Sequence, residues 1–271
     1  MSVHLLRTYV AFHRFIALAW MMGLAFFAFF VAVLYRSFAE AGIEELWESY
    51  PEALRAAVGL DPEAPLAVSG RFPIESWLTT EFLAWMPLLI ALYGVVYGAG
   101  TIAREAEQGT LDLVLSQPVA RYRLVVSKSL VFLLSTAALV VTAGVALQAG
   151  VAAAGDSVNT AYLYLTLFQG ALVGLAVAGY AIAFSSAFLS VGRAAAAAGL
   201  LTVILYILEI VSRTVDGAEW VGNISLFHFY RAEHILRTGD LSWTGVGVCS
   251  AVAVGGVALA AVLFQRRDIP A

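Results

Sequence analysis

The chain of 271 residues is 61% hydrophobic and only 13% charged, where a soluble domain is about half apolar and a quarter charged. So few charges cannot cover a water-facing surface of this size, and a net charge of −4 leaves no basic footprint for nucleic acid. Cys249, the single cysteine, can form no internal disulfide; with a mean hydropathy of +0.87 the chain reads as an all-α polytopic membrane protein, one membrane domain over 1–271.

A spanning helix needs roughly 20 mostly apolar residues. Six stretches satisfy this: Phe15–Tyr35, Phe82–Ala103, Ser129–Gly150, Leu163–Ser185, Ala194–Val211 and Thr244–Phe264. The first is too long for a signal-peptide core and has no small-residue cleavage site before the acidic loop, so it is expected to be retained. Six spans put both termini on one side, and the charges say which. With the N terminus inside, the inner segments hold nine basic residues (Arg7, Arg14, Arg104, Arg121, Arg123, Lys128, Arg193, Arg266, Arg267), and the outer loops hold six (Arg36, Arg55, Arg71, Arg213, Arg231, Arg237). Basic residues near helix ends favour the cytoplasm, so N and C termini are expected to be cytoplasmic.

The connections differ in length. The first outer loop, 36–76, carries Ile43, Leu46, Trp47, Tyr50 and Leu54 at helical spacing, with Pro51 at a break or a new first turn; amphipathic helix on the outer surface is expected there. The second, 212–243, contains NISLFHFYRAEHIL, too apolar to lie free in water, and is expected to form an outer re-entrant hairpin. The inner loop 104–128 reads EAEQGTLDLVLSQPVARYRLVVSK from Glu105. Leu111, Val114 and Leu115 make a small apolar stripe that Thr110 can cap, Gly109 permits the turn before it, and Pro118 ends it. A bare connector needs none of this, so the loop is expected to be a short helix that docks a cytoplasmic partner.

These residues carry a resemblance. An acidic residue, GTL, LSQPVAR and a lysine resemble the hallmark of permease subunits of ABC-2 type ATP-binding-cassette transporters. Trp20, Tyr35-Arg36-Ser37-Phe38, Tyr50-Pro51-Glu52-Ala53-Leu54 with Gly59, SLFHFYRAEHILRTGDLSW and the closing Phe264–Ile269 fit in the same order. The chain departs at Leu226-Phe227 after Ser225, where many members carry a proline. The resemblance implies an ABC-2 (type V exporter) permease fold working with two copies of a separate ABC ATPase and a second permease, identical or a paralogue. It implies that Glu105, Glu107, Gly109, Thr110, Leu111, Leu115, Pro118 and Arg121 form the cytoplasmic coupling helix that enters the ATPase, with 1–14 an amphipathic interface helix beside it. ATP and Mg would be bound by that partner; this chain has no GxxxxGK[ST] loop, and no catalytic, cofactor or metal residue is expected on it.

Other residues have plainer readings. Glu209, an acid inside the fifth span, is a functional candidate by default, but Arg213 four residues on is expected to pair with it. Glu81 is expected at the interface. His4, His13, His228 and His234 include no pair at i,i+4; His228 and His234 are expected at the outer interface beside Phe227, Phe229 and Tyr230 rather than on a metal. Gly94, Gly98, Gly100, Gly170 and Gly174 permit close helix contact, within the chain or with a partner, and Pro87 permits a kink that is either structural or a gate. Asn223-Ile224-Ser225 is read as a chance match to a glycosylation acceptor. A membrane-embedded enzyme or a stand-alone carrier are the rival functions; neither explains the capped inner helix. Abundant apolar and aromatic lining favours an amphiphilic drug, lipid or natural product as cargo. Lys128 as the one lysine among many arginines points to a prokaryotic plasma membrane.

Overall fold

A computed structural model describes residues 3–39, 43–61, 65–68, 71–110, 120–215 and 217–266. Nearly all of them are helical, and six helices are long and apolar enough to cross a membrane: His13–Ala39, Ile74–Glu107, Arg121–Ala153, Thr160–Phe188, Val191–Thr214 and Trp243–Arg266. In chain order the elements are α1 (Val3–Ala39), α2 (Ile43–Ser49), α3 (Glu52–Ala57), α4 (Ile74–Leu78), α5 (Met86–Glu107), α6 (Arg121–Ala153), α7 (Thr160–Phe188), α8 (Val191–Thr214), α9 (Glu219–Gly222), α10 (Ala232–Thr238) and α11 (Trp243–Arg266). The N-terminal segment runs into the first span without a break. In the first outer loop Pro51 sits at the N-cap of α3, where its missing N–H removes no helical bond.

The centre of the bundle is α7, which packs along its length against α5 on one side and α11 on the other, while α1 pairs with α6. Small residues make this approach possible. A Cβ on Gly98 would lie 2.6 Å from the Ala181 methyl, one on Gly174 2.2 Å from Ile90 Cγ2, and one on Gly256 2.3 Å from the Gly179 carbonyl carbon. The glycines at 94, 98 and 174 therefore serve contacts within this chain, and Gly100 meets its own chain's Arg104.

The second span is longer than hydropathy predicts. It begins at Ile74 with α4, passes through a π-helical turn at Thr79–Leu83, and resumes as α5 with Pro87 in the first turn. The π turn is closed by Ala84 N–H donating to Thr79 O at 2.9 Å. Its polar residues Ser76, Thr79 and Thr80 are buried in protein rather than turned to lipid. Trp77 Nε1 donates to Val31 O at 2.9 Å and Tyr35 Oη to Phe72 O at 2.9 Å, which ties this outer start of the span to α1.

Candidate functional site

The inner loop leaves α5 through a positive-φ turn. Gly109 has φ +64°, with nothing near the position a Cβ would take, so glycine is required here by backbone conformation and not by space. Gly109 N–H donates to Ala106 O at 3.2 Å and Thr110 N–H to Glu105 O at 3.0 Å, the double closure of a Schellman end. The Thr110 hydroxyl also turns back, donating to Glu105 O at 3.4 Å. Leu111, Leu115 and Pro118, and with them the expected helix itself, lie outside the described residues.

The described stems on either side are fastened to the bundle. Lys128 Nζ donates to Glu105 Oε1 at 2.7 Å and to the Thr101 carbonyl, and lies 5.0 Å from the centre of the Tyr9 ring. This ammonium is almost completely buried, and Tyr97 Oη donates to the Lys128 carbonyl at 2.7 Å. Glu105 Oε2 is buried and has no partner among the described residues. Burial, with the Glu105 charge second, raises the Tyr9 phenol well above its ordinary pKa, so it stays protonated beside the pair.

Two residues on from Glu105, Glu107 Oε1 accepts from Val191 N–H at 2.9 Å. This N–H begins α8, and the cap residue Ser190 offers it no side-chain bond, so the carboxylate of α5 fills the place a cap would take. On the returning stem, Arg121 Nη1 donates to Phe264 O at 3.3 Å, and its guanidinium stands 5.7 Å from the Phe264 ring centre. A cation thus meets the carbonyl end of α11. Just inside, Ser185 of α7 accepts from the N–H groups of Ile102 and Ala103 at 3.0 and 2.9 Å and donates to Ala99 O at 2.7 Å. One serine hydroxyl therefore bonds both donors and an acceptor of the last turns of α5. Glu105, Glu107 and Arg121, three residues singled out from sequence, each turn toward a different span: α6, α8 and α11.

Between α1, α5 and α6, the His13 ring bonds the Tyr93 hydroxyl, which donates to Ser135 Oγ at 3.0 Å. Trp20, Tyr97 and Phe132 pack around Tyr93. The tyrosine separates the imidazole from the serine, whose own hydroxyl lies 2.9 and 3.0 Å from the carbonyls of Val131 and Phe132. In this chain of groups the imidazole does not reach the serine directly.

On the outer side, Glu209 is buried and pairs with Arg213, as the i,i+4 spacing leads one to expect. Sequence reading missed the rest of its network. His228 Nδ1 lies 3.1 Å from Glu209 Oε2, and Arg213 reaches Ala56 O at 3.4 Å and Tyr230 O at 3.3 Å. A second buried acid, Glu233, was also missed. It accepts from Arg237 at 3.0 Å, from Ser76 Oγ at 2.5 Å and from the Asp61 N–H at 2.6 Å. Its i,i+4 spacing to Arg237 was the available signal. Among the described residues no group of three or more His, Cys, Asp or Glu side chains is placed to hold a metal.

The match to known families bears on all of this. No curated protein matches the chain. Residues 65–269 match the family described as ABC-2 family transporter protein, a range that begins before the second span and includes both inner-loop stems and the short helices between the fifth and sixth spans. With six apolar helices in one bundle, the chain belongs to the ABC-2 family of transporter proteins, as the multi-pass permease component of an ABC transporter.

Proposed function

We propose that the chain is the permease half-unit of an ATP-driven exporter in a prokaryotic plasma membrane, and that a separate ABC ATPase docks on its 104–128 loop. In the full assembly two ATPases would serve two permeases, identical or paralogous, and the ATPases would bind all the ATP and Mg. One observation carries the reading: the two stems of the loop are bonded to the inner ends of α6, α8 and α11 through Glu105–Lys128, Glu107–Val191 and Arg121–Phe264. A push on the loop is therefore delivered to three spans together. ATPase closure that binds one arrangement of these spans more tightly would shift their population, which is what alternating access requires. In this division the carboxylates of Glu105 and Glu107 position the loop from within, and contact with the ATPase falls to the stretch around Leu111, Leu115 and Pro118. The cargo would be an amphiphilic drug, lipid or natural product passing between the second and fifth spans of two copies.

The test is purification of the tagged chain from its host in mild detergent, beside a Gly109→Pro variant whose ring cannot adopt φ +64°. A cassette ATPase recovered with the wild type and lost with the variant supports docking at this loop. Recovery of no ATPase in several detergents, with ATP-independent flux through proteoliposomes of the chain alone, would replace the proposal with a stand-alone carrier.

A further inference from the structure

The outer face holds a cavity of about 340 Å³ between the re-entrant turn and the start of α11. Its lining includes His228, Arg231, His234 and Asp240 over an apolar floor with Phe229 and Ile235. The two imidazoles are already held from outside the cavity: His228 Nδ1 by Glu209 at 3.1 Å and His234 Nδ1 by Asp61 at 3.3 Å. The two permanent charges are not. Among the described residues neither the Arg231 guanidinium nor the Asp240 carboxylate has a partner, and they do not pair with each other although both border one cavity.

Their backbone positions are held apart. The seven-residue helix α10 stands between them, a length of about 10 Å at 1.5 Å per residue. Each end is anchored. Ile235 N–H donates to Arg231 O at 3.0 Å, and the neighbouring Tyr230 is buried with its hydroxyl bonded to Leu83 O. Asp240 N–H donates to Thr238 Oγ1 at 3.1 Å, and the preceding Gly239, at φ +77°, lies so close to the Tyr162 ring that a Cβ would approach Cε1 to 2.4 Å. An exposed cation and an exposed anion lining one cavity, on anchored backbone, complement a ligand that carries both charges several atoms apart. An α-amino acid carries its charges on adjoining groups; an aminoalkyl phosphate carries them several atoms apart. A guanidinium fork suits phosphate oxygens, and a carboxylate suits an ammonium that still has N–H donors. The apolar floor and the outer membrane edge suit a ligand with a greasy remainder.

We propose that this cavity binds a zwitterionic amino-phosphate head group, the phosphate on Arg231 and a primary ammonium on Asp240. The site is independent of where the ATPase docks. Its source is either a phospholipid of the outer leaflet or a soluble amino-phosphate, and the chemistry is common to both.

The test uses the full chain in detergent micelles containing increasing amounts of one lipid, with thermal stability as the readout, because a ligand that binds the folded state raises its melting midpoint. Phosphatidylethanolamine presents both charges with N–H donors, phosphatidylcholine lacks the donors, and phosphatidylglycerol lacks the cation. Wild type is expected to respond to phosphatidylethanolamine at about a tenfold lower mole fraction than to the other two, the scale of one charged hydrogen bond. Asp240→Asn should erase that advantage, Arg231→Gln should weaken the response to all three, and Arg71→Gln, an exposed outer arginine away from the cavity, should change neither. Soluble phosphoethanolamine producing the same Arg231- and Asp240-dependent shift assigns a soluble source; a shift with the lipid alone assigns the leaflet. Equal responses of wild type to all three lipids with none to phosphoethanolamine, or an advantage that survives Asp240→Asn, would overturn the proposal.

Discussion

The Tyr230 hydroxyl donates to the carbonyl of Leu83 at 3.0 Å, the acceptor that Pro87, four residues on and lacking an N–H, leaves without its helical donor. The segment between the fifth and sixth spans and the second span thus complete each other. Burial raises the phenol's pKa, so Tyr230 remains a donor throughout the working range of pH. Tyr230→Phe keeps the ring and removes only the bond. A buried carbonyl left unpaired costs about 1–3 kcal/mol, so the variant should assemble normally but melt several degrees below wild type in detergent; an unchanged melting midpoint would show that water replaces the phenol.

How much of this was legible beforehand follows from the range of the interactions. The spans were legible because twenty apolar residues announce themselves locally. The outer start of the second span was not. Ser76, Thr79, Thr80 and Glu81 lower its hydropathy, and only the tertiary structure shows the first three buried in protein, with the Thr80 hydroxyl 3.1 Å from the carbonyls of Ser76 and Trp77. The Glu209–Arg213 pair could be read from its spacing; His228, brought in from another element, could not. At the inner loop, resemblance singled out Glu105, Glu107 and Arg121, and their partners within the chain could not be read from the sequence. Their partners Lys128, Val191 and Phe264 are up to 143 positions away, and no periodicity encodes such a pairing.

The glycines separate packing from propensity. At Gly256 a Cβ would meet the Gly179 backbone at 2.3 Å, where nothing flexible can yield, whereas at Gly199 it would meet nothing within 4 Å. Gly256→Ala should force α11 away from α7 and lower stability by about 1–3 kcal/mol. Gly199→Ala in the middle of α8 should be neutral or stabilise by about 0.5–1 kcal/mol. Melting of the two variants side by side in one detergent decides it. Equal losses would mean that the helix crossing at Gly179 is looser than described.

The Glu209 network predicts an asymmetry between its partners. Removing the cation with Arg213→Gln leaves a buried carboxylate supported by His228 and Ser212 alone and frees the carbonyls of Ala56 and Tyr230. Breaking a buried pair in this way costs about 3 kcal/mol or more. Glu209→Gln removes the buried charge itself and keeps an oxygen for His228, while Arg213, a quarter exposed, can still reach water and two carbonyls. It should cost about 1 kcal/mol. The double variant should be less damaged than Arg213→Gln alone, and a double-mutant cycle on detergent melts measures that coupling directly.

The stems of the inner loop give the last prediction, which separates holding the ATPase from responding to it. Glu107 is exposed and its bond to Val191 N–H resembles a helix cap, so Glu107→Ala should cost only about 1 kcal/mol of stability. If the bond transmits loop displacement to α8, the variant should still recover an ATPase on purification, because the proposed docking stretch is untouched. ATP hydrolysis by the complex should then lose its dependence on transported substrate, since the fifth span is no longer dragged by the loop. Lys128→Met acts at the other tie: it strands the buried Glu105 carboxylate, and should cost about 3 kcal/mol, with Lys128→Met/Glu105→Gln recovering part of the stability. The double variant removes the tie while easing the burial penalty, so its coupling should stay low even where its melting midpoint recovers. Coupling that returned together with stability would make the pair a folding element only, and leave the Glu107 and Arg121 ties as the route from loop to spans.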